Sequence, residues 1–194
     1  FVLVNLKEEI VKYSRIRLKF SVEASYPFRI AEELGKFLTD MEEREKILGI
    51  GISIPGIINQ KEKLLIKSHA LQVENYSLSF LEQAFSIPVS FENDANAAMM
   101  AEDGNQYKNA VYLSLNNTLG GAFCIDGRLI SGENQKAGEF GHMILVPGGK
   151  QCYCGKRGCA DAYCAASVLS DETGQTLEQF IDTVKEQEDG AVQV

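Results

Sequence analysis

Gly138-Glu139-Phe140-Gly141-His142 and, ten residues after its histidine, Cys152-Tyr153-Cys154-Gly155-Lys156-Arg157-Gly158-Cys159 lie close together in a chain of 194 residues. Three thiols fall within eight residues, and Gly155 and Gly158 let the backbone fold back so that they converge. Zinc takes four soft or borderline donors in a tetrahedron, and three Cys with one His is a common closed set. His142 is one of only two His, with Pro147-Gly148-Gly149 between it and Cys152 to turn the chain. A lone His reads as a core residue, but beside three Cys on a glycine-rich loop it reads as the fourth ligand. The pattern therefore predicts one zinc ion on His142, Cys152, Cys154 and Cys159. Four protein ligands leave no open position, so the metal is expected to be structural. Cys164 and Cys124 read as buried residues of a helix and a strand.

The remaining composition fits a reducing, cytoplasmic setting. Five Cys is an odd number, and their crowding is unlike the even spread of a disulfide framework. No apolar run approaches the roughly 18–20 residues of a membrane span, and no signal-peptide pattern is present. A net charge of -8 repels phosphate backbones, which argues against nucleic-acid binding by this chain itself. The basic run Lys12–Lys19 alternates with apolar residues and reads as the solvent face of a strand. Phe1-Val2-Leu3-Val4 reads as the inside of a strand, so the chain is expected to be a piece of a longer polypeptide, cut at both ends.

Periodicity gives the order of elements. Phe1–Leu6 and Ile10–Phe20 read as strands joined by Lys7-Glu8-Glu9. Ile30, Leu34, Phe37, Leu38 and Met41 repeat at helical spacing, with Pro27 just inside the start and a charged tail, Glu42–Lys46, at the end. Ile47–Ile54 is a continuous apolar run, as in a buried parallel strand, stopped by Pro55-Gly56. Leu78, Leu81 and Phe85 mark a short helix, Pro88–Glu92 a strand, and Ala95 to about Asp103 another helix. Ala110–Leu115 and Gly121–Ile125 read as strands, Ile125–Arg128 as a hairpin turn, and Thr176–Gln187 as an amphipathic helix before a frayed tail from Asp189. Strands interleaved with helices predict an α/β fold with mixed sheets. Residues 1–106 are expected to form a small α/β domain and 107–194 the beginning of a second, with the boundary near Gly104–Lys108.

Three further groups carry potential chemistry. Glu92-Asn93-Asp94-Ala95-Asn96-Ala97-Ala98 puts a carboxylate where a strand ends and a helix opens, the usual ligand position in α/β proteins. Asp94 there suits a base that takes a proton from a hydroxyl attacking a phosphate, and it suits a helix N-cap equally well. Glu139 and Asp161 flank the metal ligands, so a loop that fixes His142 also fixes them as a polar rim. Gly120-Gly121, read as a loop between strands, could present N–H groups to phosphate, although a tight turn explains it more simply.

The paired Gly-Glu-Phe-Gly-His and Cys-x-Cys-Gly-x-x-Gly-Cys segments resemble the signature of the ROK family of repressors, open reading frames and sugar kinases. Glu92–Ala98 is similar to that family's sugar-site motif, and Gly51-x-x-x-Pro55-Gly56 to an earlier strand-turn element. The resemblance covers about residues 1–170. It implies an actin-like ATPase (ribonuclease H-like) fold with a sugar in the cleft between two α/β domains. It also implies that Asp94 is the base in a kinase and a sugar partner in either branch. Asn93 and Glu139 would bind sugar hydroxyls, and His142 would contact the sugar with one ring nitrogen and zinc with the other. The family usually has Glu at the position of Asp161, so the shorter acid here would shift hydroxyl preference or call for a bridging water.

Kinase members carry a loop resembling Gly-Thr-Gly-x-Gly-Gly, whereas this chain has Asn116-Asn117-Thr118-Leu119-Gly120-Gly121. Side chains at Asn116 and Thr118 would crowd a nucleotide phosphate, leaving Thr118, Gly120 and Gly121 as the remnant of the loop. The family's first phosphate loop would precede Phe1 and its adenosine-binding part would follow Val194. The favoured expectation is the sugar-sensing part of a transcriptional regulator, with a DNA-binding module outside this chain, homodimeric by family expectation. The alternatives are an ATP- and Mg2+-dependent hexose kinase with Asp94 as base, and a structural zinc domain that binds neither sugar nor nucleotide.

Overall fold

The computed structural model describes residues 1–41, 46–103 and 107–186. Two compact units divide the chain, Phe1–Glu92 and Asn93–Val194.

The first unit opens with a hairpin of β1 (Val2–Val4) and β2 (Ile10–Tyr13) around the expected turn. Pairing ends where Ser14 meets Phe1, so Arg15–Phe20, expected as more of the second strand, has no strand opposite it among the described residues. Helix α1 (Tyr26–Phe37) starts with Pro27 in its first turn, where a missing N–H costs nothing. It stops four residues short of the expected Met41, with the Leu38 N–H closing on the Leu34 carbonyl. Lys12, expected on a solvent face, donates to the Phe37 carbonyl at 2.6 Å and lies over the Phe37 ring, a favourable place for a cation at a helix C-terminus. The expected charged tail falls largely on 42–45, outside the described residues.

Strand β3 (Ile50–Ile54) is shorter than the expected Ile47–Ile54 and alternates, with Gly51 and Ser53 exposed and Ile54 buried. An antiparallel sheet absent from the sequence reading follows, made of β4 (Ile57–Asn59), β5 (Leu64–Ser68) and β6 (Val73–Ser77). Helix α2 (Ser79–Gln83) leads to β7 (Val89–Asn93), which pairs with β3. Ile54, Ile58, Leu65, Leu78, Leu81 and Phe91 form the core.

The second unit begins as β7 ends. Helix α3 (Asp94–Asp103) packs on a sheet of β8 (Ala110–Leu115), β9 (Leu119–Ile125) and β10 (Arg128–Leu129), through Met99 against Ala122 and Cys124. That packing places α3 in the compact unit that begins at Asn93; of the expected boundary region Gly104–Lys108, residues 104–106 lie outside the described residues. Asp126 and Gly127 both have positive φ, 52° and 71°, as the two-residue β9–β10 hairpin requires. One face of β8 meets α3, and on the other Val111, Leu113 and Leu115 stand exposed. Helices α4 (Asp161–Cys164), α5 (Ala166–Thr173) and α6 (Leu177–Glu186) complete the unit. Thr176 and Gln179 close a reciprocal capping box at the start of α6. The tail from Asp189 lies outside the described residues, and no described helix is long and apolar enough to cross a membrane.

Candidate metal centre and its polar rim

Close approach of the backbone dictates the glycines of the first motif. A Cβ on Gly138 would overlap the Gly121 carbonyl oxygen, and one on Gly141 would overlap that of Leu119. A Cβ on Gly121 would in turn strike the Phe140 ring. Segment 138–142 therefore lies flat on β9, with Phe140 over Gly121 and 6.0 Å from the Phe123 ring. Gly120 and Gly121 thus sit inside strand β9 and not in a loop, because Leu115 already pairs with Leu119.

Main-chain bonds then shape the thiol loop. Gly158 accepts from the Leu145 and Val146 N–H groups, Ala160 donates to Met143, and Cys152 donates to Lys156 at 2.9 Å. Gly158 takes φ of +85° and passes so close to the Val146 carbonyl that no side chain fits there. This frame brings His142, Cys152, Cys154 and Cys159 together, with all four ligand atoms within 4.8 Å of one another. Metal–sulfur bonds of about 2.3 Å and metal–nitrogen bonds of about 2.0–2.1 Å give a zinc tetrahedron edges of roughly 3.5–3.8 Å. The distance from Cys152 Sγ to His142 Nδ1 is 3.8 Å, and from Cys154 Sγ to Cys159 Sγ 3.7 Å. Burial pushes the Cys152 thiol up to about 12, so its thiolate needs a cation's charge. The four residues can hold a metal ion, and these two distances fall at the edge length of a zinc tetrahedron. Cys124 is buried as expected, but Cys164 is exposed, the buried positions at that end of the loop going to Ala165 and Ala166.

The rim residues differ from one another. His142 Nε2 points away from the sulfurs, 3.9 Å from Glu139 Oε2 and 3.5 Å from the Tyr153 hydroxyl. Burial raises the Glu139 carboxyl above its ordinary value; Lys136 and Lys156 oppose this and the Asp94 charge adds to it. Asp161, only 4% exposed, is no solvated acid. Its Oδ2 accepts from the Leu119 N–H at 2.7 Å and from the Tyr153 hydroxyl at 3.4 Å. Asn93 Oδ1 caps α3, accepting from the Ala95 and Asn96 N–H groups, while Asp94 is exposed in the first turn. Thr118 is exposed at the β8–β9 turn, where the Asn116 carbonyl accepts from Ala166.

Tyr153 went unnoticed in the sequence reading; an aromatic between two ligand thiols was the available signal. Burial, then the Asp161 and Cys152 charges, raise its hydroxyl well above the ordinary tyrosine value, so it stays protonated. The arrangement offers a closed metal site and, on one side of it, acids and an imidazole suited to hydroxyl groups.

Comparison with known proteins gives one family and two activities. The family model described as "ROK family" matches residues 1–192. A xylose repressor of Bacillus spizizenii is 31% identical over 138 residues, 69% of this chain and 36% of its own length. A glucokinase of Halalkalibacterium halodurans is 32% identical over 148 residues, 73% of this chain and 45% of its own. Among solved structures, a ROK family transcriptional regulator homologous to the E. coli MLC protein superposes with a TM-score of 0.74 at 25% identity, over 89% of this chain and 45% of that one. The chain thus spans less than half the length of these relatives.

Proposed function

The chain belongs to the ROK family, with its actin-like ATPase fold, and on that premise we propose that it is the sugar-sensing part of a transcriptional regulator built on a structural zinc site. The observation that carries this reading is the bond between Asp161 Oδ2 and the Leu119 N–H. A phosphate loop works by aiming main-chain N–H groups at the phosphate. Here the N–H of the residue that closes the β8–β9 turn is spent on a buried carboxylate, which also repels phosphate. The Asn116 N–H is spent too, on the Thr118 carbonyl. On the sugar side, Asp94 and Glu139 keep exposed carboxylates.

In this reading Asn93, Asp94, Glu139, Asp161 and His142 Nε2 bind sugar hydroxyls. His142 Nδ1, Cys152, Cys154 and Cys159 hold the zinc, which when bound supplies fixed geometry and no reactive position. Clamping Nδ1 leaves the proton on Nε2 and fixes the ring, so the imidazole presents a donor beside the acceptors of Glu139. A sugar that binds one of two arrangements of the protein more tightly shifts their populations, and a hundredfold preference is worth about 2.7 kcal/mol. DNA affinity would change through a module outside this chain, in a cytoplasmic homodimer.

The second reading is an ATP- and Mg2+-dependent hexose kinase, favoured by the exposed carboxylate of Asp94 at the start of α3 and by the glucokinase relative. Asp94 would there take the proton of the attacking hydroxyl. A coupled ADP-release assay on the whole protein, over a panel of hexoses, separates the two. The regulator reading expects sugar binding without turnover; turnover that disappears in Asp94→Asn would overturn it.

A further inference from the structure

Tyr153 lies between two thiols of the metal cluster, yet neither the metal nor the sugar contacts proposed above use its side chain. With His142 Nδ1 turned to the thiols, Nε2–H is a donor toward the Tyr153 oxygen 3.5 Å away. The Tyr153 hydroxyl in turn donates to Asp161 Oδ2 at 3.4 Å. One phenol oxygen therefore bridges two groups that the sugar-site reading gives to ligand hydroxyls.

A sugar hydroxyl has the same equipment as this phenol, one O–H donor and lone pairs to accept. Both bridging contacts are longer than the roughly 2.7–3.2 Å of strong hydrogen bonds, so shorter ones displace them readily. Tyr153 is 50% exposed, and its ring stands edge-on to the imidazole at 75°. The bonds that shape the loop, Cys152 to Lys156 and Gly155 to Cys152, are main-chain bonds. The ring can therefore turn outward about χ1 without undoing the loop.

Resting on the sugar-site reading, we propose that Tyr153 is the gate of that site: its hydroxyl holds His142 and Asp161 in place of a sugar hydroxyl, and sugar entry displaces it. Tyr153 then lowers sugar affinity by competing for the same two partners. A residue that merely braced the loop, or one that contacted the bound sugar, would raise it.

The test is titration calorimetry on the zinc-loaded whole protein, wild type and Tyr153→Phe, with a panel of aldopentoses, aldohexoses and N-acetylhexosamines. Zinc content and melting temperature are measured alongside. The phenylalanine keeps the ring but cannot compete, so a gate predicts sugar binding about three- to tenfold tighter, the value of one net hydrogen bond, at unchanged zinc content. Binding by the variant alone also supports the gate. Unchanged or weaker binding in the variant overturns it, as does loss of zinc, which marks a brace. If neither protein binds any sugar, the sugar-site reading itself fails and takes the gate with it. If wild type binds and the variant gains nothing, the gate alone fails.

Discussion

Leu65 and Leu78 in the first unit are each 1% exposed, whereas Met143, Ile144, Leu145 and Val146 in the second are 62%, 48%, 58% and 42% exposed. The two stretches are equally apolar but are held in different ways. Around Leu65 the side chains supply the cohesion, packed between β4, β5 and α2. Around His142 the main chain supplies it, with four side chains that can hold a metal ion, and the apolar residues between them contribute little burial. A core of the first kind fails gradually as methylenes are removed. A loop of the second kind, on the zinc-site reading proposed above, depends on one ion and is expected to fail as a whole.

Removing the metal tests that contrast most severely. Cys154→Ala, or a strong chelator, is expected to bring zinc from one per chain to near none and to expose residues 143–159 to proteolysis, since structural zinc sites hold about 10–16 kcal/mol of binding energy at pH 7. Cleavage should stay within the loop, and a cut in residues 50–92 would show that the two regions are not separate. Acid should act in the same direction. With the Cys152 thiol pushed up to about 12 in the absence of metal, binding must release its proton, so zinc affinity falls as pH falls. Competition with a chromogenic chelator across pH reads this directly.

Leu65→Ala is the reciprocal change. It should cost about 2–5 kcal/mol in denaturant unfolding while zinc content stays constant. Asp161→Ala should cost about 1–3 kcal/mol, because it leaves the Leu119 N–H without its acceptor. Asp161→Asn keeps an oxygen there and should recover most of that loss. The smallest effect is expected from Asn93→Ala, about 1 kcal/mol from the α3 N-cap, by thermal unfolding.

Local patterns were legible where one residue type has one job. The alternation of Ala110–Leu115 gave β8 to the residue, Asp126-Gly127 gave the hairpin turn, and three Cys with His142 gave a cluster that can hold a metal ion. What the sequence hid depends on partners distant along the chain. Asp161 is buried because the Leu119 amide, 42 residues away, bonds it. Gly120-Gly121 reads as a turn by composition, but the ring of Phe140 needs the space on β9. Strands β4 to β6 are three to five residues long, too short for a clear period of two, and the sheet forms only when all three align. Helix α3 follows β7 directly, and only the fold shows that Met99 finds its contacts on β9.

Asp161 Oδ2 accepts from both the Tyr153 hydroxyl and the Leu119 amide. Donors that share one oxygen weaken each other. The Leu119 amide proton, held at 2.7 Å by a carboxylate, is expected downfield, and a sugar hydroxyl that bonds the same oxygen more closely than the phenol is expected to move it back upfield. A single NMR signal on the β8–β9 turn therefore reports occupancy of the neighbouring wall without a label in the ligand.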